Sequence, residues 1–512
     1  MTLGDIITQT AQKYPDNLAV VCRNSGVRYT YNEFNKRINR LANALKKLGI
    51  RKGERLAVIQ HNSIEYIEIF FAAFKAGIAV VPLDHRMKGG ELSFILNNSE
   101  ATAVFIGIEY ADIINSIQQE LNFTKYLISL EHSIEGMQNY QELINSSSSA
   151  ESDFDVNEKD LATLCYTSGT TGRPKGVMML HKNLLAATTS CVQALPVKPD
   201  DITLHTSPFS HIASSWPLLT HCYTGGANII IERFVPSVVL DAIEEEKVTT
   251  WNSVPTMIQR LIEEPEVHKR DYSNLRWVAY GASPMPVETL KRAISIFGNR
   301  FIQVYGLTET YLLTLLPIED HILEGKKHKT KRLSSCGRSL VNCQVRVVND
   351  DGKDVKPGQV GEIIAKGNSI TNGYLKLPKE TSETIKDGWF YTGDMASVDN
   401  EAYIYIIGRR KDIIISGGEN ISPREVEEII YKFPSILEAA VIGVPDEKWG
   451  EAVCAVVVLR QGKKASEKEI IDYCKLNLAS YKAPKLIQFT DRLPKTASGK
   501  ILKRELRERY LQ

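Results

Sequence analysis

The run Tyr166-Thr167-Ser168-Gly169-Thr170-Thr171-Gly172-Arg173-Pro174-Lys175-Gly176 gathers hydroxyls, glycines and two cations into one turn of chain. Glycine lets a backbone approach a ligand closely. Consecutive N–H groups in such a turn form a concave nest for anionic oxygens. The Thr and Ser hydroxyls add donors and Lys175 adds a point charge. The preceding apolar run, residues 161–166, reads as a buried strand, and residues 177–185 re-enter regular structure. A strand leading into a Gly/Ser/Thr loop is a phosphate-holding device of α/β proteins. It is not the nucleotide loop that ends Gly-Lys-Ser/Thr, because Lys175 stands between Pro174 and Gly176. A plain polar hairpin loop is the competing reading.

Working outward, residues 55–106 alternate short apolar runs with helical patterns, and residues 239–305 do the same. This alternation predicts parallel, doubly wound sheets. Thr30-Tyr31-Asn32-Glu33 is a capping box, after which Phe34, Ile38, Leu41 and Leu45 recur on one helical face. Two predicted strands, 276–280 and 301–305, end in small-residue turns, which puts two loops on the carboxyl edge of a sheet, where ligands bind. From 335 the texture changes to short β runs between Asp-Gly and Pro-Gly turns. The charged segment 408–412 then separates this β subdomain from a last α+β region.

The expected architecture is therefore α/β: a large N-terminal domain of doubly wound sheets plus a β subdomain over residues 1–408, and a small mobile α+β domain over 409–512, with the hinge near 409–412. The chain carries 62 basic and 61 acidic residues, a net charge of +1, which argues against a nucleic-acid footprint. Its eight cysteines form no Cys-x-x-Cys pair and read as thiols of a reducing compartment. No signal peptide or membrane span is evident. A cytoplasmic location is expected, with peripheral membrane contact left open. Monomer and homodimer are equally compatible.

The order Thr-Ser-Gly-Thr-Thr-Gly-x-Pro-Lys-Gly closely resembles the phosphate-loop signature of the adenylate-forming superfamily, which holds acyl- and aryl-CoA ligases, peptide-synthetase adenylation domains and luciferases. Later motifs extend the resemblance along nearly the whole chain. It implies that Thr167, Ser168, Gly169, Thr170, Thr171, Gly172 and Lys175 hold ATP phosphates. Tyr305-Gly306-Leu307-Thr308-Glu309 resembles the adenine- and magnesium-binding loop, with Glu309 and, second, Thr167 as Mg²⁺ contacts. Gly281-Ala282-Ser283 would lie beside adenine. Asp394 and Arg409 resemble the ribose contacts and Lys411 the hinge. Gly417 and Gly418 resemble glycines lining a thiol channel. Lys500, in Pro494-Lys495-Thr496-Ala497-Ser498-Gly499-Lys500, matches the late catalytic lysine. His211 takes the place of an aromatic gate.

The implied enzyme is an AMP-forming acyl-CoA synthetase using ATP, Mg²⁺ and coenzyme A, closest to fatty-acid–CoA ligases. The segment around His211 lacks the Asp that pairs with amino-acid substrates. A medium- or long-chain fatty acid is the expected substrate, with Trp216, Ala282 and residues 312–316 as pocket candidates. The alternatives are an aryl-CoA ligase, an acyl-carrier-protein ligase, a luciferase-like oxygenase, and a non-catalytic adenylate-binding regulator. Glu309 and Lys500 together count against the last.

Overall fold

In the computed structural model, residues 1–167, 174–496 and 499–510 are described. The expected phosphate-nest residues Ser168, Gly169, Thr170, Thr171 and Gly172 lie outside them.

Among the described residues the strands form four sheets. A seven-stranded sheet runs in the order Gln138–Asn139, Tyr126–Ser129, Ala101–Ile106, Arg55–Ile59, Ala79–Pro82, Leu161–Thr167, Lys175–Leu180. All its neighbours are parallel except the last two, which are antiparallel. A nine-stranded sheet has a parallel centre, Ile202–His205, Thr250–Ser253, Trp277–Tyr280 and Phe301–Leu307, with antiparallel additions at both ends. The fold is the expected α/β type, but the parallel sheets are finished by antiparallel strands. This matters at the opening stretch. Leu161–Thr167 and Lys175–Leu180 pair as a hairpin, with Thr167 opposite Lys175. The stretch therefore joins two strands, and the next helix, His181–Ala194, starts at the far end of the second. Among the described residues, no helix starts directly after the strand Leu161–Thr167.

The two sheets share a core through the helices packed between them. Thr30 caps the helix Tyr31–Lys47 by accepting from Glu33 N–H, while Glu33 Oε2 accepts from Thr30 N–H at 2.9 Å. Phe34, Ile38, Leu41 and Leu45 are all fully buried on its inner face. The helix Ile64–Ala76 starts at Ser63, whose hydroxyl accepts from Tyr66 N–H. It buries Glu68 completely, and the carboxylate is held by Arg37 and the Tyr140 hydroxyl. A buried charge is tolerated only with such pairing.

An antiparallel sheet follows, comprising Cys343–Val348, Val360–Gly367, Ile385–Lys386, Trp389–Val398 and Ile404–Arg409. The chain then crosses residues 410–413 into a sheet of Ile414–Ser416, Glu419–Ile421, Ile436–Asp446, Gly450–Leu459 and Leu486–Phe489. One face of that last sheet packs Val441, Val453, Ala455 and Val457 against the helices Pro423–Ile430 and Glu467–Asn477. Its other face packs Ala440, Ile442, Cys454 and Val456 under Leu506 of the terminal helix. All eight cysteines are free thiols. No helix among the described residues is long and apolar enough to cross a membrane.

Candidate active site

The neighbouring strands Trp277–Tyr280 and Phe301–Leu307 run parallel and release their loops at one edge, as the sequence predicts. Close packing there excludes side chains. A Cβ on Gly281 would stand 2.3 Å from the Val304 carbonyl oxygen, and one on Gly306 would stand 1.7 Å from that of Tyr311. Beside them, Ala282 and Tyr311 adopt left-handed φ values of 65° and 56°. Non-glycine residues in this region cost of order 1 kcal/mol and cluster at functional sites. Ser283 continues the loop half-buried.

Thr308 and Glu309 sit at the tip of the turn joining Phe301–Leu307 to the antiparallel strand Tyr311–Leu316. Glu309 Oε1 accepts from the Tyr374 hydroxyl at 2.9 Å. Its Oε2 has no protein partner among the described residues. Lys175 Nζ lies 5.4 Å from the centroid of the Tyr374 ring, and Thr167 faces Lys175 across the hairpin. Tyr374 therefore links Glu309 to the hairpin end. Its segment runs along the second hairpin strand, with Met178 N–H donating to Gly373 O and Leu375 N–H to Gly176 O. The sequence reading did not pick out Tyr374. Its role depends on a pairing between residues some two hundred positions apart, which no local pattern announces.

Asp394 is 6% exposed. Its Oδ2 accepts from the Tyr305 hydroxyl at 2.7 Å, and its Oδ1 is ion-paired with Arg409 Nε at 2.7 Å. Asp394 and Arg409 are register partners on adjacent strands, so the sheet sets their approach. Arg409 also donates to Thr392 O at 3.0 Å. A carboxylate has about four acceptor positions, so both oxygens retain capacity for ligand hydroxyls. Burial and the Asp394 charge together hold the Tyr305 hydroxyl well above its ordinary pKa, so it remains a donor.

Lys500 approaches this group from the last sheet. Its side chain reaches solvent, yet desolvation by the surrounding protein, then repulsion from Arg409, lowers its pKa, while Asp394 and Asp412 oppose the shift. Lys411 is exposed, within the short 3₁₀ turn Arg410–Asp412 between the two sheets. Gly417 and Gly418 are not brought to this group. They form the turn between Ile414–Ser416 and Glu419–Ile421, where Gly417 packs on Trp449, whose ring is flanked by Lys448 and Lys485.

His211 precedes the helix Ile212–Thr224 and lines a narrow apolar cavity. Its walls include Phe70, Phe71, Phe74, Leu184, Leu218 and Leu219. Tyr311, two residues beyond Glu309, is a further wall, and its hydroxyl meets Ser215 Oγ at 2.8 Å. Burial lowers the His211 pKa, so the ring is neutral at pH 7. Its Nε2 and the Ser210 hydroxyl are buried without a hydrogen bond among the described residues. The sequence-based pocket candidates need correction. Trp216 is buried in the core and does not line the cavity, Leu313 packs on Ala365 and Phe390, and Ala282 is exposed. Three of the aromatic walls, Phe70, Phe71 and Phe74, come instead from Ile64–Ala76, whose apolar run reads simply as a packed helix. An aspartate does stand near His211: Asp84 Oδ2 is 3.8 Å from its Nε2. That charge is already paired with Arg86, so it offers no free partner to a substrate ammonium.

No group of three or more His, Cys, Asp or Glu side chains among the described residues could hold a metal. A single carboxylate oxygen beside a phosphate site still suits Mg²⁺, which takes one or two carboxylates and fills its shell with water and substrate oxygens.

The AMP-binding enzyme family model matches residues 7–375, and the AMP-binding enzyme C-terminal domain model matches residues 425–500. Feruloyl-CoA synthase from an Amycolatopsis species is 36% identical over 512 residues, spanning 99% of each chain. The long-chain-fatty-acid–CoA ligase FadD13 of Mycobacterium tuberculosis is 35% identical over 513 residues, spanning 99% of this chain and 98% of its own. The crystal structure of ATP-bound MatB from Rhodopseudomonas palustris superposes with a TM-score of 0.90 at 30% identity, covering 100% of this chain and 99% of that one.

Proposed function

The chain belongs to the AMP-binding enzyme family and is an AMP-forming acyl-CoA ligase, and on that premise we propose that it activates a fatty acid in two steps at one cleft. In the first, a carboxylate oxygen attacks the α-phosphorus of ATP, the bond to the β-phosphate breaks, and acyl-AMP and pyrophosphate form. In the second, the sulfur of coenzyme A attacks the acyl carbon, its thiol proton is lost, and AMP leaves.

The observation that carries the substrate class is the cavity beside His211. Its lining is largely apolar, with Phe70, Phe74, Leu184, Leu218 and Leu219, and carries the buried polar atoms of Ser210 and His211 that have no hydrogen bond among the described residues. An acid with a long apolar body fits that lining. The five aromatic rings of the wall, Phe70, Phe71, Phe74, Phe209 and Tyr311, favour an arylalkenoic acid as the second reading, since ring faces and edges add to the area term. The names of the feruloyl and long-chain relatives support both.

We assign the residue roles from the family resemblance, and the contacts around Asp394, Arg409, Tyr305 and Glu309 support it. Asp394 accepts from the ribose hydroxyls while Arg409 and Tyr305 fix its orientation. The Tyr305 side of the cleft and the small loop at Gly281, Ala282 and Ser283 receive adenine, with Gly306 allowing the close turn. Thr308 donates to an α-phosphate oxygen, and Lys175, with the outlying residues Ser168 to Gly172, holds the departing phosphates. Glu309 Oε2 and the Thr167 hydroxyl would hold Mg²⁺, which when bound neutralises phosphate charge. Lys500 bridges the substrate carboxylate and the α-phosphate as charge gathers there. His211 shapes the entrance to the acid cavity as a neutral ring. The region after 409 turns about Lys411 between the two steps, withdrawing Lys500 and presenting Gly417 and Gly418 to the thiol.

Pyrophosphate release, followed across fatty acids of graded length and hydroxycinnamic acids with and without coenzyme A, tests the reading. Thioester formation with a fatty acid is the expected result, and preference for a hydroxycinnamic acid selects the second reading. Release driven only by amino acids, or an acyl-adenylate passed to a carrier protein but not to coenzyme A, would overturn it.

A further inference from the structure

We propose that Arg86 is a positioning residue for acyl-adenylate formation, clamping the turn that carries Lys500 against the cleft. The proposal rests on the role given to Lys500 above.

Arg86 follows the strand Ala79–Pro82 by four residues and is held in a fixed fork by Asp84. Its backbone N–H donates to Asp84 Oδ1 at 3.0 Å, its Nε to the same oxygen at 3.3 Å, and one terminal nitrogen to Oδ2 at 3.2 Å. The other terminal nitrogen donates to the Lys495 carbonyl oxygen at 3.4 Å. A planar guanidinium can serve two acceptors in this way because its donors are fixed in one plane. Lys495 is the base of a self-contained turn. It bridges Ile501, Thr496 N–H donates to Lys500 O at 2.8 Å, and Lys500 N–H donates to Thr496 Oγ1 at 3.1 Å. Holding Lys495 therefore holds Lys500. On the tip of the turn, Thr256 Oγ1 donates to Gly499 O at 3.5 Å, and a Cβ on Gly499 would stand 2.4 Å from that hydroxyl. Arg86 thus holds Lys495 and Thr256 holds Gly499, on either side of the step to Lys500.

An exposed arginine that merely met a carboxylate would contribute little. Arg86 differs in two respects. Its partner Asp84 is two residues away and already orients the fork, so little side-chain freedom is lost when the carbonyl arrives. Its target is a main-chain oxygen one turn from Lys500, so the contact acts on position. A displacement of about 1 Å at a reacting group costs up to 10²-fold. Asp84 also faces His211, so one carboxylate touches both the clamp and the wall of the acid cavity.

The test compares half-reactions in Arg86→Ala, Arg86→Lys and Thr256→Val. Acyl-adenylate formation is followed in single turnover, and thioester formation is followed from supplied acyl-adenylate and coenzyme A. Arg86→Ala should slow the first about five- to tenfold, on the scale of one ordinary hydrogen bond, through kcat with KM for ATP unchanged. The second half should stay within about twofold. Arg86→Lys should recover only part of the loss, since an ammonium lacks the fork. Thr256→Val, nearly isosteric, should give the same split more weakly, and it carries the test where Arg86→Ala fails to fold. Equal loss in both halves, or no loss in either, overturns the clamp. Lys500→Ala run alongside separates the two ideas: if it divides the halves and the Arg86 variants do not, only the clamp fails.

Discussion

The chain before residue 410 and the chain after 413 are built on opposite plans. The first buries its polar chemistry. Glu68, Asp201, Asp320, Arg332, Asp394, His181, His205, His221 and His321 are all buried, each held by neighbouring groups. The second buries almost none. Beyond residue 413 only Ser416 and Ser422 are buried polar residues among those described, and the sheet is packed on both faces by aliphatic side chains. Fixed polar geometry, which binding a nucleotide requires, belongs to the first plan. A rigid apolar core carrying an exposed Lys500 on a surface turn belongs to the second, and it suits a part whose one contribution is to arrive and leave.

Acid should break this symmetry most strongly. Burial pushes His181, His205 and His321 down to about 4. A histidine depressed in the folded state stabilises above the unfolded value near 6.5 and loses that stability as pH falls toward 4, because the unfolded chain then binds the extra proton. At pH 5 the loss is about 2 kcal/mol for each. All ten histidines lie between residues 61 and 328. Hydrogen exchange at pH 5 should therefore show lost protection in His181–Ala194 and Ile202–His205, with Ile436–Asp446 and Gly450–Leu459 unchanged. Uniform loss along the chain would erase the contrast.

Lys500→Ala comes next. Removing one preorganised cation from a developing charge costs about 10²–10³ in rate, and acyl-adenylate formation should fall by that much while thioester formation from supplied acyl-adenylate persists. The wild-type pH profile sharpens the point. Lys500 acts as the ammonium, present below its pKa, and desolvation and Arg409 lower that pKa. Adenylation should lose rate with rising pH at a value below that of an ordinary lysine, and the thioester half should lack this alkaline limb. An identical limb in both halves would remove Lys500 from the first.

Asp394→Asn tests the buried plan at the cleft itself. The amide keeps the shape but removes the charge facing Arg409 and weakens the acceptor for ribose. We expect KM for ATP to rise about tenfold, on the scale of a lost hydrogen bond to a charged group, with KM for the acid unchanged. A rise in both would mean that Asp394 acts through general stability.

What the sequence revealed divides along the same line. Tyr305, Glu309, Asp394 and Arg409 could be singled out because each sits in a short contiguous run that resembles a family motif, and the structure joins Tyr305, Asp394 and Arg409. The capping box at Thr30 and the strand alternation were legible because they are local. Tyr374, Asp84, Arg86 and Thr256 were not, because each is an ordinary turn, strand-edge or helix-start residue until a distant segment pairs with it. Phe70, Phe71 and Phe74 were hidden differently: an apolar helix reads as core whether or not one of its faces borders a cavity. Trp216 was misplaced for the converse reason, since a large ring near a site motif can equally fill the core.

The crossing between the two plans offers the mildest test. Residues 410–412 form a single 3₁₀ turn, pinned on one side by Arg410 to Asp350 and Glu362 and on the other by Asp412 to Arg507. Lys411, between them, is exposed. Proline there fixes its own φ near −65°, so it restricts rotation without removing a buried contact. Lys411→Pro should slow thioester formation about three- to fivefold relative to acyl-adenylate formation, an effect on the scale of 1 kcal/mol typical of such backbone restrictions. Exchange of the order, with adenylation slowed more, would mean that the turn governs the arrival of Lys500 and not its departure. The hinge would then belong to the same step as the Arg86 clamp.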